Sequence, residues 1–234
     1  MKLGVKAAVL AGVMGMALFG TADASACLRA METPESPDRP DAAHLVAQAE
    51  QALDAGKGAI ATASMVKLFP SLRTALTQKA ELGHLEHRAA RIVALASVRS
   101  DGGFGVVNGK VKDKNKTNLD WSVGILRKLN AGRPGDASLQ ADLGEALAKQ
   151  PETQKEALEV LSKLASDDLI GSPHAYAALA KLEAARGEAQ KSADAVRRCE
   201  GMTSTPSICS PAKPAAVPAA TPKPEPAIDL KSRA

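Results

Sequence analysis

Leucines and alanines recurring at three- and four-residue steps constrain this chain more than any other feature. Leu139, Leu143 and Leu147 lie at i, i+4 and i+8. Beyond a turn at Pro151 the spacing returns in Ala157, Leu161 and Leu164, then in Tyr176, Leu179 and Leu182. Ala189, Ala193, Val196 and Cys199 close the series. This period belongs to an amphipathic α-helix rather than to a strand. Aromatic residues are only 2% of the chain, whereas β-sheets draw heavily on aromatic and β-branched side chains. The fold class is therefore all-α. The stretch 41–201 is long enough for one substantial core, burying roughly 70% of its unfolded surface.

Turn residues divide that stretch into hairpins. Asp41 follows Pro40 as an N-cap, and a helix over 42–55 ends at Gly56 and Gly58. A second helix, 59–69, stops at Pro70 and completes the first helix–turn–helix unit. Residues 71–99 read as helical with a break near Gly83, and a glycine-, lysine- and asparagine-rich insertion fills 100–117. Thr117-Asn-Leu-Asp120 matches a capping box, opening a helix that buries Trp121, Ile125, Leu126 and Leu129. Its end is expected at Gly132 in the left-handed conformation, with Pro134 forbidding continuation. Ser172-Pro173 supplies an N-cap with proline at the first helical position, and Gly187 ends that helix. Residues 202–234 form a tail of prolines, alanines and lysines with no periodic apolar face, expected to be a disordered, semi-rigid spacer.

The N-terminal residues read as an export signal. Lys2 and Lys6 precede an uncharged apolar run, Ala7 to Phe19, too short for the ~20 residues of a membrane span. Small residues at 22–26 then give signal-peptidase spacing, so 1–26 is expected to be a signal peptide and 27–40 a proline-containing linker. Cleavage is expected after Ala26, with Ala24 as the alternative. Lipidation of Cys27 is disfavoured, because a lipobox wants a large apolar residue where Ala24 stands. No later stretch is apolar enough to span a bilayer. The expected location is exported, and periplasmic in a cell with two membranes.

Cysteine usage fits an oxidising compartment. Cys199 and Cys209 flank a short segment at the end of the last helix, and a bridge between them is expected to staple it. Three cysteines allow three single pairings, however, and Cys27 enters two of them. A net charge of +4, and +3 once 1–26 are removed, is too weak for a dedicated nucleic-acid binder. One Trp and one Tyr leave little for stacking on bases.

Catalytic motifs fail on inspection. GGFGVVNGK has Phe104 where a phosphate loop needs glycine and Val111 where it needs Ser or Thr. Its bland reading is a flexible insertion between helices. Glu81, His84 and His87 succeed one another at three-residue steps without an HExxH order, and read as a solvated helix face. With no CxxC pair or Cys/His cluster, no metal or cofactor is expected. No GxSxG motif or cysteine–histidine pairing suggests a nucleophile, so an enzyme is not expected.

These helices resemble the tetratricopeptide repeat family, whose 34-residue hairpins stack into a superhelix. Leu143-Gly144 matches the family's first-helix signature, with Leu147 where an aromatic is usual. Leu179, Ala180 and Gly187 match the next unit. Leu143 and Leu179 stand 36 residues apart, and the family's Trp and second Tyr are absent. A generic α-hairpin bundle shares much of the pattern. The resemblance implies a solenoid whose first helices line a concave groove, here Ser138, Ala141, Glu145, Ala148, His174, Ala177, Lys181 and Ala184. Those positions are expected to be open enough to accept arginine at Ala141 and Ala177, with Glu145, Lys181 and His174 setting a partner's register by charge. The implied function is a non-catalytic scaffold of the cell envelope binding a protein or peptide. The alternative is a structural component touching cell-wall polymer through the basic tail, and a third reading, small-molecule binding, needs an apolar pocket.

Overall fold

The computed structural model describes residues 41–78, 81–107 and 109–210. The expected signal peptide, the expected linker with Cys27, and the chain beyond Ser210 lie outside the described residues. Eight α-helices account for the described chain: α1 (Ala42–Asp54), α2 (Gly58–Leu68), α3 (His84–Arg99), α4 (Lys114–Gly132), α5 (Ala137–Leu147), α6 (Gln154–Ser166), α7 (Pro173–Ala185) and α8 (Ala189–Met202). No strand occurs among the described residues, and none of their helices is long and apolar enough to cross a membrane.

Consecutive helices pack as pairs, α1 with α2, α3 with α4, α5 with α6 and α7 with α8. Each even helix also packs on the next odd helix, and the odd helices touch in the order α1, α3, α5, α7. The core reflects this layering. From Ala89 to Val98 every residue of α3 except Arg91 is buried, because α3 meets α1, α2, α4 and α5 at once. Alanines at 89, 90, 94 and 96 keep its circumference small enough for four neighbours. The expected face of α4 is buried as read, with Trp121, Ile125, Leu126 and Leu129 all inside.

Several boundaries obey the expected chemistry. Asp41 accepts from the Ala43 N–H at 3.3 Å. Asp136 accepts from the N–H groups of Ser138 and Leu139 at 3.0 and 3.1 Å, satisfying donors that a helix start leaves open. Gly187 closes α7 at φ +80°, and the Glu188 N–H returns to the Glu183 carbonyl at 3.0 Å.

Elsewhere the tertiary structure overrides the local reading. The described residues 71–78 and 81–83 are not α-helical: Pro70–Thr74 form a 3-10 turn that buries Leu72. Ser71 donates to Glu86 at 2.6 Å, and the Gly83 N–H donates to the same carboxylate at 2.9 Å, fixing where α3 starts. Helix α4 begins three residues before the expected capping box. Asp113 adopts φ 54° ahead of it, Thr117 donates to the Asp113 carbonyl, and Asp120 pairs with Lys116 at 2.9 Å. Gly132 is the last residue of α4 and is not in the left-handed region that Gly187 occupies. In α8 the buried stripe is Ser192, Ala195 and Cys199, while Ala189 and Ala193 are exposed. Ser192 faces α7 because its hydroxyl reaches the Ala180 carbonyl at 2.9 Å, and alanine is too weakly apolar to outweigh that bond. At Ser172 the position is that of an N-cap, but the buried hydroxyl makes no capping bond.

The insertion is anchored rather than loose. Asn118, fully buried in α4, donates to the Gly102 carbonyl at 2.9 Å and accepts from the Val107 N–H at 3.0 Å. A Cβ at Gly105 would collide with the Asn118 side-chain oxygen. Gly102 and Gly105 therefore serve packing against α4. Residues 203–210, assigned to the tail in the sequence, also belong to the folded body. Cys199 and Cys209 are bridged with their Cα atoms 5.6 Å apart, both buried, and a 3-10 turn at Pro206–Ile208 lies against α7.

Candidate functional site: the face of the odd helices

Side chains of α3 organise this face. Arg88, Arg91 and Arg99 escape the apolar packing of α3 and turn toward α1 and α5. Arg88 grips Glu50 of α1 with two hydrogen bonds, at 2.9 and 2.6 Å. Arg91 reaches Asp142 at 2.5 Å and Ser138 at 2.6 Å. Arg99 reaches the two oxygens of Glu145 at 3.2 and 3.5 Å. The Asp142 and Glu145 side chains are only 3% and 4% exposed, so removing either arginine would strand a buried carboxylate. Burial pushes the Asp142 carboxyl above its ordinary range, against the pull of Arg91.

Two adjoining depressions open beside this ladder. The first, about 640 Å³, runs from α1 across α3 and α5 to the start of α7 and the segment Met202–Ser204. The second, about 360 Å³, lies between α5 and α7. Arg99, His174 and Ile208 line both, which makes the two continuous at those residues. The disulfide positions Ile208 here by holding the segment C-terminal to α8.

Seven of the eight positions expected for a groove fall on these walls. Ser138, Ala141 and His174 line the first depression. Glu145, Ala148, His174, Ala177 and Lys181 line the second. Ala184 is exposed and lines neither. Their surroundings differ from expectation, because Ala141 and Ala177 are only 1% and 6% exposed. Arginine at either would enter the packing between helices rather than open groove. Glu145 is occupied by Arg99, and so does not offer a free charge. His174 is held neutral: burial first, then the nearby Arg99 and Lys149, lower its pKa to about 4. Lys181 alone of the three remains an exposed charge.

Sequence reading missed Arg91, Arg99, Asp142 and Ile208. A signal for the carboxylates was present, since Asp142 and Glu145 are an acidic i, i+3 pair inside an otherwise alanine- and leucine-rich helix. Their arginine partners lie more than forty residues away and carry no local mark. Glu81, His84 and His87 do not converge with further ligands, and no group of three metal-binding side chains occurs among the described residues. Burial first, then Arg133, lowers the His87 pKa.

Fold and site together define an all-α protein of packed helical hairpins with a charge-laddered groove on its odd helices. Compared with known protein families, curated proteins and solved structures, the chain gives no match in any of the three.

Proposed function

We propose that this chain is an exported, non-catalytic scaffold of the tetratricopeptide type, binding a protein or peptide along the face of its odd helices. The observation that carries this reading is the convergence of seven groove positions, phased from Leu143 and Leu179, on two depressions joined at Arg99, His174 and Ile208. Packing supports it. The inner odd helices α3 and α5 each meet the even helices before and after them and the next odd helix, the order expected when hairpins stack into a solenoid. Fixed arginine–carboxylate pairs give the groove a polar pattern that a partner's backbone and side chains can read at little ordering cost. Export agrees with the bridged Cys199 and Cys209.

The test uses residues that reach the groove without entering the core. Ala148 is half-buried and Lys181 exposed, so Ala148→Arg with Lys181→Glu should preserve helicity and melting temperature. That double variant is expected to lose a partner recovered by the wild-type chain in affinity purification from envelope extracts. Capture undiminished in a folded variant rejects the groove. Sedimentation with purified cell wall that depends on residues 211–234 would favour the structural-component reading instead.

A further inference from the structure

A separate depression of about 570 Å³ opens between α6, α7 and α8. It shares no lining residue with the odd-helix groove. Its apolar walls are Leu158 of α6, Tyr176 and Leu179 of α7, and Ala195 of α8, and Glu159, Arg186, Lys191, Asp194 and Arg198 stand around them. One charged side chain of the lining is buried. Glu183 of α7 lines the depression and is only 5% exposed. Its Oε2 is shielded from solvent with no hydrogen-bond partner among the described residues.

Most charges at the rim are committed elsewhere. Arg198 donates to Asp168 at 2.6 Å and to the Tyr176 hydroxyl at 2.9 Å. Asp194 is held by Arg197 and Gln190, and Lys191 lies 3.6 Å from Glu188. Arg186, one turn beyond Glu183, lines the rim without an ion pair among the described residues. A carboxylate withdrawn from water and left without a donor is costly, and folded proteins normally pair such a group. The volume is that of a small-molecule pocket, and Glu183 is the one lining side chain with a buried acceptor left unpartnered, which specifies the complement.

We propose that this groove binds a small organic cation, a protonated primary amine on a short hydrocarbon body. The ammonium donates to the Glu183 carboxylate where it lines the depression, and the hydrocarbon lies against Leu158, Leu179 and Ala195. The positive charges of Arg186, Lys191 and Arg198 at the rim disfavour a ligand carrying several positive charges, so one amine and an uncharged body fit best.

Calorimetric titration of the full chain with n-hexylamine, n-hexanol and hexanoate tests this. Hexylamine should bind saturably, hexanol about tenfold more weakly, and hexanoate not measurably, since an ionic hydrogen bond at a shielded acceptor is worth at least that factor. Glu183→Gln should reduce hexylamine affinity about tenfold while leaving hexanol unchanged. Ser162→Phe, filling the depression from half-buried Ser162 on the opposite wall, should weaken both and leaves Glu183 intact if the first variant does not fold. Equal binding of all three probes, no hexylamine binding, full hexylamine affinity in Glu183→Gln, or no effect of Ser162→Phe overturns the proposal. So does a loss of thermal stability shared by Glu183→Gln and Arg186→Gln, which would mean that Arg186 already satisfies the carboxylate. None of these outcomes bears on partner capture by the odd-helix groove.

Discussion

Gly144 and Gly132 show how one residue type serves two ends. A Cβ at Gly144 would stand 2.6 Å from Leu161 Cδ2 and 2.7 Å from its Cγ, and Leu161 is fully buried with nowhere to retreat. That glycine is the close approach between α5 and α6. Gly144→Ala should therefore destabilise by about 1–2 kcal/mol, the overpacking cost less the helix propensity that alanine adds. At Gly132 nothing lies within 4 Å of a built Cβ, and the residue is helical rather than left-handed. Gly132→Ala should stabilise by about 0.5 kcal/mol. Urea denaturation of both variants checks the opposite signs, and a destabilised Gly132→Ala would restore the left-handed end that local chemistry suggests.

At the scale of the element, α8 depends on the segment 203–210 for its hold on the body. Its fully buried stripe is narrow, Ser192, Ala195 and Cys199, with Val196 partly buried beside it. The Cys199–Cys209 bridge, spanning ten residues, restricts the unfolded chain and pins the turn carrying Ile208 across the groove. Cys209→Ser should cost about 2–3 kcal/mol on the chain-entropy account. Hydrogen exchange should show lost protection confined to α8 and residues 203–210, with α3 unaffected. Uniform loss across all helices would mean that the bridge supports the whole body. The insertion before α4 makes the same point, since one buried amide, Asn118, fixes both Gly102 and Val107.

For the whole molecule, acid is the condition that distinguishes the folded arrangement. His174 takes up its proton near pH 4 when folded, against an ordinary value of 6.5. The unfolded chain therefore binds that proton first as the pH falls. Stability is full above pH 6.5 and declines toward pH 4, by at most about 3 kcal/mol. Asp142 acts in the other direction, because its raised pKa means that protonation relieves part of a burial cost. Denaturation midpoints of wild type and His174→Gln across this range check the assignment. The glutamine variant should lose the decline between pH 6.5 and about 4, and an unchanged profile would place the titrating group elsewhere.

What the sequence determined by itself was whatever depends on near neighbours along the chain. The 3.6-residue period of leucine and alanine marks the helical class and the inner face of α4. Asp41 and Gly187 mark helix ends, since a carboxylate close to free N–H groups, or a glycine at positive φ, acts locally. Phasing on Leu143 and Leu179, taken from the tetratricopeptide resemblance, picked out seven residues that line the two depressions, because helical spacing sets which residues share a face. Tertiary structure decided the rest. Residues 71–78 and 81–83 carry helical spacing, yet Pro70, the buried Leu72 and the Glu86 bonds to Ser71 and Gly83 hold them otherwise. Alanine in α8 was too weak a signal to set its phase against the Ser192 bond to α7. Whether Glu145 faces a partner or Arg99, and whether His174 is charged, depends on groups brought together from distant parts of the chain. Burial and charge at such positions are properties of neighbours in space, and only the packing of α3, α5 and α7 supplied them.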